Sequence, residues 1–227
     1  IEEASYVLDE HLLESVTHRF AEKDLVLISW VMDGWMDLYA TFPIREPGDL
    51  RARQMRVSAD DSALLFMAAL GADVIQIPLS DVIPGMQTGL VEGGEQSTQI
   101  FALAGLDAVA NHFALTHHSY STAGVVANKT WWDSLSDDDR MVYRNAVPNA
   151  QWYRGLVLER NALYLDRAIQ SGLNVVYPTA VEQASWQNIG QRIHSDLIEE
   201  IGGDAAGLYA EIMKAKEAYV LQSAGQR

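Results

Sequence analysis

The sequence predicts an α/β fold built mainly on parallel strands. Three observations within Arg53–Gln96 carry this prediction: two short β-type runs, a helical pattern between them, and a second, shorter helix that leads to a third apolar run. Strands that alternate with helices in this way usually form a parallel sheet with helices on its faces. Ligands of such folds bind where the carboxyl ends of strands lead into helix N-termini, so we expect a site there.

The central elements follow from hydrophobic spacing and turn residues. The first strand covers Met55–Ser58, and a helical pattern runs from Asp60 to Leu70. The second strand covers Ile75–Leu79. A short helix, Asp81–Gln87, then leads to the third apolar run, Leu90-Val91.

The rest of the chain is also predicted to mix helices and strands. A helix over Glu3–Lys23 and a buried strand over Leu25–Trp30 precede an aromatic-rich connection over residues 31–50. Two helix starts carry capping residues, Ser136 with Asp139 and Thr179 with Glu182. The later predicted elements are a helix over Gln99–Ala110, a strand over Thr116–Asn128, a long helix over Asp137–Gln170 kinked near Pro148, a strand over Asn174–Tyr177, and helices over Thr179–Ile201 and Ala205–Gln222.

Composition narrows the class of function. The 227 residues suffice for one large domain or two small lobes. The net charge of −15 argues against nucleic acid and anionic membrane surfaces as partners, because both need basic patches. The absence of cysteine excludes disulfides and thiolate catalysis. No apolar run approaches the length of a membrane span.

Arg56 is the residue on which the functional prediction rests. It lies between Met55 and Val57 near the end of an otherwise apolar strand. An inward-facing arginine there either forms an ion pair with an internal acid or binds an anionic ligand. The residue pattern by itself leaves both roles open.

No other pattern specifies a metal site or a catalytic site. His117 and His118 are adjacent, and neighbours on a strand point to opposite faces, so they are poorly placed to share a metal. Glu92 and Glu95 form a possible carboxylate pair without catalytic spacing. An enzyme that uses Glu95 and His118 is one alternative, but no matched acid–base pair marks it. We therefore predict no enzyme activity, no metal and no cofactor.

Ordered motifs resemble the DctP-type solute-binding proteins of TRAP transporters. The matches span nearly the whole chain and keep the order of the family pattern. They are Pro43-Ile44, Asp49-Leu50, Arg56, Leu70-Gly71-Ala72, Pro78 with Ser80–Val82, Gln87-Thr88-Gly89, Glu92–Gln96, and Asn128-Lys129 with Trp132 and Leu135.

The resemblance implies a periplasmic receptor with two α/β lobes of the type II binding-protein fold. Such a receptor closes on a small organic acid and delivers it to an ion-driven membrane permease. The family's strand arginine grips the ligand carboxylate with two parallel hydrogen bonds, and Arg56 matches that arginine. We expect the first lobe over residues 1–90 and the second over residues 91–227, with the long kinked helix touching both.

Departures from the family pattern refine the expected ligand. Gln96 replaces an asparagine, Met36 stands where acidic-sugar receptors carry a second arginine, and Leu79 stands where an aromatic residue is common. These changes favour a monocarboxylate with an apolar part over a dicarboxylate. The residues expected to bind the ligand are Arg56, Gln96, Trp35, Met36, Leu79 and His118.

The first lobe is expected to be incomplete. Family members begin with further strand–helix units, which this sequence lacks, and a signal peptide would lie outside it. The alternative function is therefore a truncated interaction or sensory module of the same fold, without a role in transport.

Overall fold

The computed structural model describes residues 2–147 and 150–225 and confirms the α/β prediction. The strands are β1 Leu25–Ala40, β2 Gln54–Val57, β3 Asp73–Gln76, β4 Gly93–Ser97, β5 His112–Asn128 and β6 Asn174–Val176. The α-helices are α1 Glu2–Tyr6, α2 Leu13–Glu22, α3 Asp61–Ala69, α4 Val82–Thr88, α5 Thr98–Leu103, α6 Lys129–Asp133, α7 Asp137–Ala146, α8 Ala150–Gln170, α9 Ala180–Arg192, α10 His194–Ile201 and α11 Ala205–Gly225. A π-helical segment, Val7–Leu12, joins α1 to α2, and short 3₁₀ turns cover Pro47–Leu50, Leu79–Asp81 and Leu106–Ala108.

The strands form one mixed sheet in the order β3-β2-β4-β1-β5-β6. The pairs β2–β3, β2–β4 and β5–β6 are parallel, whereas β1 runs antiparallel to β4. The central strand β4 is therefore flanked by β2, which carries Arg56, and by β1.

Three sequence predictions about this sheet are wrong. The strand expected over Ile75–Leu79 lies at Asp73–Gln76, and Leu79 begins a 3₁₀ turn. Residues 31–40 were expected to belong to a loop, but they continue strand β1 as far as Ala40. The third central strand was expected at Leu90-Val91, but it lies at Gly93–Ser97. In the segment 31–40 and in β4, the backbone pairs with a neighbouring strand, although the glycines in the local sequence are typical of a turn.

The capping predictions are confirmed. The side chain of Ser136 accepts a hydrogen bond from the N–H of Asp139 at the start of α7. Thr179 and Glu182 form a reciprocal capping box at the start of α9. The kink predicted near Pro148 lies outside the described residues: α7 ends at Ala146, and α8 begins at Ala150.

The chain divides into two compact units, each assembled from separate stretches. One unit comprises Ile1–Asp33, Thr122–Val157 and Gly202–Arg227, and the other comprises Gly34–Ser121 and Leu158–Ile201. The lobe boundary expected at residue 90 stays a prediction.

Apolar cores stabilise each unit. In the unit that contains Gly34–Ser121, one cluster packs Leu38, Met55 and Val57 against Phe66 of α3. A second cluster packs Tyr39 against Val82 and Met86 of α4 and Phe101 of α5. Because Leu38 and Tyr39 are neighbours on β1, the two clusters cover opposite faces of the sheet.

The other unit has its own apolar cluster. Leu27 of β1 packs there with Val16 of α2 and Ala215 of α11. None of the helices within the described ranges is both long and apolar enough to span a bilayer.

Candidate functional site

Arg56 is the third residue of β2 and is almost wholly buried, with 4% of its surface exposed. Its Nε donates a hydrogen bond to the carbonyl of Ile77, 3.0 Å away, just beyond β3. Within residues 2–147 and 150–225 it forms no ion pair with an acid, so the internal ion pair considered from the sequence does not form.

The outer end of the Arg56 guanidinium remains available. In the described chain its two terminal nitrogens have no hydrogen-bond partner, and neither is among the fully buried unpaired atoms. A planar cation with two parallel N–H donors is suited to a carboxylate. Arg56 can therefore bind an anion without giving up its contact to Ile77.

Strand register shows which side chains share a sheet face with Arg56. Gly94 of β4 is opposite Arg56 on one side and Tyr39 on the other, and Gln96 is opposite Asp37. Directly opposed residues share a face, as do residues two apart along a strand. The Arg56 face therefore also carries Gln96, Asp37 and Tyr39.

Tyr39 extends across the central strand over Gly94. A Cβ atom added at Gly94 would lie 2.6 Å from the Tyr39 hydroxyl oxygen and 3.0 Å from the Arg56 carbonyl oxygen. Burial raises the pKa of Tyr39 far above its usual value, Arg56 counteracts that rise, and Glu95 adds to it. The hydroxyl therefore remains protonated, and it reaches over Gly94, the residue paired with Arg56.

Gln96 keeps part of its amide free. Its carbonyl oxygen Oε1 accepts a hydrogen bond from the backbone N–H of Ser97 at 3.1 Å. Within the described residues its amide nitrogen has no hydrogen-bond partner. This nitrogen can donate a hydrogen bond to a ligand on the Arg56 face.

Trp35 lies two residues before Asp37 on β1 and is held by aromatic contacts. Its ring stacks on His117, with centroids 5.4 Å apart, and meets Tyr120 edge to face at 5.0 Å. His117 is fixed in turn by Asp37, whose Oδ1 lies 2.8 Å from the backbone nitrogen and 2.8 Å from Nδ1 of His117. By strand alternation Trp35 projects from the same face as Arg56.

Met36 and Leu79 are placed differently. Met36 is opposite Ser97 and belongs to the alternate set of β1 residues, so it projects from the face opposite Arg56. Leu79 begins the 3₁₀ turn two residues after Ile77, and about a third of its surface is exposed. Chain connectivity therefore brings Leu79, but not Met36, close to the Arg56 contact.

His118 lies away from Arg56, on the face covered by α3. Its ring stacks in parallel on Phe66 at 4.4 Å, Nε2 lies 2.9 Å from Oε2 of Glu95, and Nδ1 lies 2.8 Å from Thr116 Oγ1. Only 2% of its side chain is exposed. Both ring nitrogens are occupied by protein partners, so neither is free to bind a ligand.

The neighbouring histidines also have no common ligand position. His117 binds Asp37 and His118 binds Glu95, on opposite faces of the sheet. Within the described residues no group of three or more histidine or acidic side chains is arranged to hold a metal ion.

Sequence reasoning missed Asp37 and Tyr39. Both lie within residues 31–50, which the sequence predicts to be a loop rather than a strand. The alternation of Trp35, Asp37 and Tyr39 with the apolar residues Met36, Leu38 and Ala40 is the signal that could have identified them.

A family model and individual relatives all match bacterial solute-binding proteins. A family model described as DctP, bacterial extracellular solute-binding protein, family 7, matches residues 1–200. A solute-binding protein of Chromohalobacter salexigens is 26% identical over 190 residues, which cover 81% of this chain and 56% of that protein. The C4-dicarboxylate-binding periplasmic protein DctP of Rhodobacter capsulatus is 28% identical over 174 residues, which cover 76% of this chain and 52% of that protein.

Solved structures show the same fold. A TRAP periplasmic solute-binding protein of Chromohalobacter salexigens with bound D-glucuronate has a TM-score of 0.86 at 23% identity, covering 96% of this chain and 71% of that one. The periplasmic ectoine-binding protein of Halomonas elongata has a TM-score of 0.83 at 20% identity, covering 96% and 72%. The chain spans a little over half the length of the two curated relatives described above.

Proposed function

The chain belongs to the DctP family of bacterial extracellular solute-binding proteins, and from that premise we propose that it is the receptor of a TRAP transporter that binds a small organic acid through Arg56. The observation that carries the proposal is the Arg56 guanidinium, which is buried at the end of a strand and unpaired at its outer nitrogens within the described chain. A buried cation without an internal acid is costly unless a ligand supplies the negative charge.

The named ligands of relatives support an acid as the ligand. These relatives include receptors for C4-dicarboxylates and for 2,3-diketo-L-gulonate, and solved structures hold D-glucuronate and (S)-2-acetolactate. All of these ligands carry a carboxylate group. The relatives are solute-binding proteins rather than enzymes, and the occupied Glu95–His118 pair offers no free acid–base couple.

The side chains around Arg56 favour a monocarboxylate with an apolar part. Trp35 shares the Arg56 face, and Leu79 lies two residues after Ile77, whose carbonyl accepts the hydrogen bond from the Arg56 Nε. In this proposal Arg56 holds the carboxylate, Gln96 bonds a polar substituent, and Trp35 and Leu79 cover the apolar part.

Delivery to an ion-coupled TRAP permease, and a periplasmic location, form the second part of the proposal. Several relatives are named as periplasmic binding proteins. Uptake of a labelled acid into proteoliposomes that contain the partner permease should require this receptor. Equal uptake without the receptor would contradict the delivery step.

A ligand panel tests the binding function. The probes are 2-oxobutanoate and (S)-2-acetolactate as monocarboxylates, succinate as a dicarboxylate, D-glucuronate as an acidic sugar, and the methyl ester of each acid as its control. An acid at about 100 times its Kd adds about 2.7 kcal/mol to the free energy of unfolding. In a chain of this size we expect the melting temperature to rise by roughly 5–10 °C.

The melting-temperature shifts of the acids and their esters, compared with one another, decide whether the proposal holds. The monocarboxylates should stabilise the chain most, and the esters should not stabilise it. Stabilisation by an ester equal to that of its acid would contradict binding through the carboxylate. If none of the acids changes the melting temperature, the interaction-module alternative is favoured.

A further inference from the structure

The hydroxyl group of Tyr39 is buried beside Arg56 without a hydrogen-bond partner in the described chain. Tyr39 has no exposed surface, and its Oη is one of the few buried side-chain atoms that remain unpaired within residues 2–147 and 150–225. Buried polar groups in folded proteins are nearly always paired, so an unpaired one needs a specific explanation.

Packing explains the ring of Tyr39 but not its hydroxyl. The ring lies 5.6 Å from the ring of Phe101 and belongs to the apolar cluster that includes Val82 and Met86. A phenylalanine would make the same apolar contacts and would leave no unpaired oxygen. The hydroxyl is therefore the part of this side chain that the fold does not use.

The position of the hydroxyl points to the strand that carries Arg56. Tyr39 starts on β1 and reaches over Gly94 of β4, and Gly94 is itself paired with Arg56 of β2. A Cβ atom at position 94 would lie 2.6 Å from the Tyr39 Oη, so the absence of a side chain there leaves room for the phenol. Arg56 is also close enough to act on the pKa of Tyr39.

The chemistry of the pair suits an ionised carboxylate. Burial is the largest influence on Tyr39 and raises its pKa, so the phenol keeps its proton and can donate it in a hydrogen bond. A carboxylate offers about four lone-pair positions, and a two-pronged guanidinium uses two of them. The remaining lone pairs can accept the phenolic hydrogen.

We infer that Tyr39 contacts the ligand: its hydroxyl, which is closed to solvent in the structure, becomes accessible when the acid binds and donates a hydrogen bond to the carboxylate held by Arg56. The inference rests on the proposed function, because it requires an acid at Arg56. The guanidinium offers only hydrogen-bond donors, and the phenol, whose oxygen can also accept, adds a donor when it faces an anion. This arrangement favours an ionised carboxylate, which accepts from both groups, over an amide, whose N–H groups would face the guanidinium donors.

The Tyr39→Phe variant tests this inference because its melting temperature and its affinity for the acid should respond differently. The melting temperature without ligand should stay the same or rise, because the removed hydroxyl has no partner to lose. The Kd measured by calorimetry for the tightest-binding acid of the panel should rise on the order of tenfold or more, as for a hydrogen bond to a charged group. Tyr177→Phe is the matched control, because Tyr177 is mostly exposed, and it should change neither value.

A second set of variants separates this inference from the proposed function. If Arg56→Lys weakens binding and Tyr39→Phe does not, the inference about Tyr39 is wrong while the function stands. If both variants weaken binding, the double variant should lose less than the two separate losses combined, because both groups grip one carboxylate. Strictly additive losses would place Tyr39 outside the carboxylate contact, and failure of every acid to bind the wild type would overturn both proposals.

Discussion

Oε2 of Glu95 lies 2.9 Å from Nε2 of His118, and the two side chains are only 7% and 2% exposed. The imidazole ring is covered by Phe66, and its other nitrogen is bonded to Thr116. The pair therefore joins β4 to β5 within the unit and fills the core below α3.

Removing His118 should affect stability rather than ligand binding. His118→Ala leaves the Glu95 carboxyl buried without its partner, which typically costs about 3–5 kcal/mol in the free energy of unfolding. Urea unfolding measures this loss, with His18→Ala as the control, since His18 is exposed and pairs with Glu22 at the surface. The control should change stability by less than about 1 kcal/mol. A stable His118→Ala protein with abolished ligand binding would return His118 to the ligand site.

Gly94 should not tolerate a side chain. Gly94→Ala places a Cβ 2.6 Å from the Tyr39 hydroxyl and 2.9 Å from the adjacent ring carbon, so the phenol must move. Overpacking of this kind costs roughly 1–3 kcal/mol, and it should also weaken acid binding because Tyr39 and Arg56 are displaced. Gly155→Ala in α8 is the control, because nothing lies within 4 Å of its added Cβ. Unchanged stability in Gly94→Ala would show that the ring is not held over this position.

The capping box at the start of α9 should make stability depend on pH. Hydrogen bonds from the backbone and side chain of Thr179 are the main reason that the pKa of Glu182 lies below its ordinary value of 4.5. A lowered folded pKa gives stability that is complete above 4.5 and is lost as pH falls through the folded pKa. The stability difference between the wild type and Glu182→Gln should therefore shrink in acid, as measured by urea unfolding at neutral pH and at about pH 3.

Thr179→Ala tests the same box at neutral pH. It removes the hydroxyl that accepts from the N–H of Glu182 and should cost about 1 kcal/mol. A difference between the wild type and Glu182→Gln that stays constant across the whole pH range would contradict a lowered pKa for Glu182.

Gln96 is expected to make a weaker contribution to binding than Arg56. Gln96→Ala removes one neutral hydrogen-bonding group from the Arg56 face and should weaken acid binding by about 1 kcal/mol. Calorimetry against the tightest-binding acid measures the change, with Gln187→Ala on an exposed position of α9 as the control. Equal affinities in the two variants would remove Gln96 from the site.

The fold class and the position of Arg56 could be predicted because they depend on local patterns. The helical spacing before β3, the apolar runs around Arg56 and the Thr179–Glu182 capping residues are all visible in short windows of sequence. These features depend on residues that are close together in the sequence, so tertiary contacts did not change them.

The missed features depend on contacts between distant segments. Strand β4 begins at Gly93 because its backbone pairs with Ala40 and Met55, although two successive glycines disfavour a strand locally. His118 faces the core because Phe66 and Glu95 meet it there, and His117 just before it adopts a positive φ of 47°. Neither arrangement can be inferred from the spacing of hydrophobic residues in the sequence.

The central claim is that Arg56 binds the ligand carboxylate, and calorimetry of Arg56→Ala with the tightest-binding acid tests it most directly. Removal of one member of a buried charge pair should weaken binding by roughly 2–5 kcal/mol. The variant should still fold, because within the described chain Arg56 forms no ion pair with an internal acid that its loss would leave unpaired. Arg56→Lys should also bind poorly, since lysine keeps the charge but loses the two-pronged geometry. Arg51→Ala, which removes the same charge from an exposed position, should bind like the wild type. Wild-type affinity in a folded Arg56→Ala protein would contradict the account.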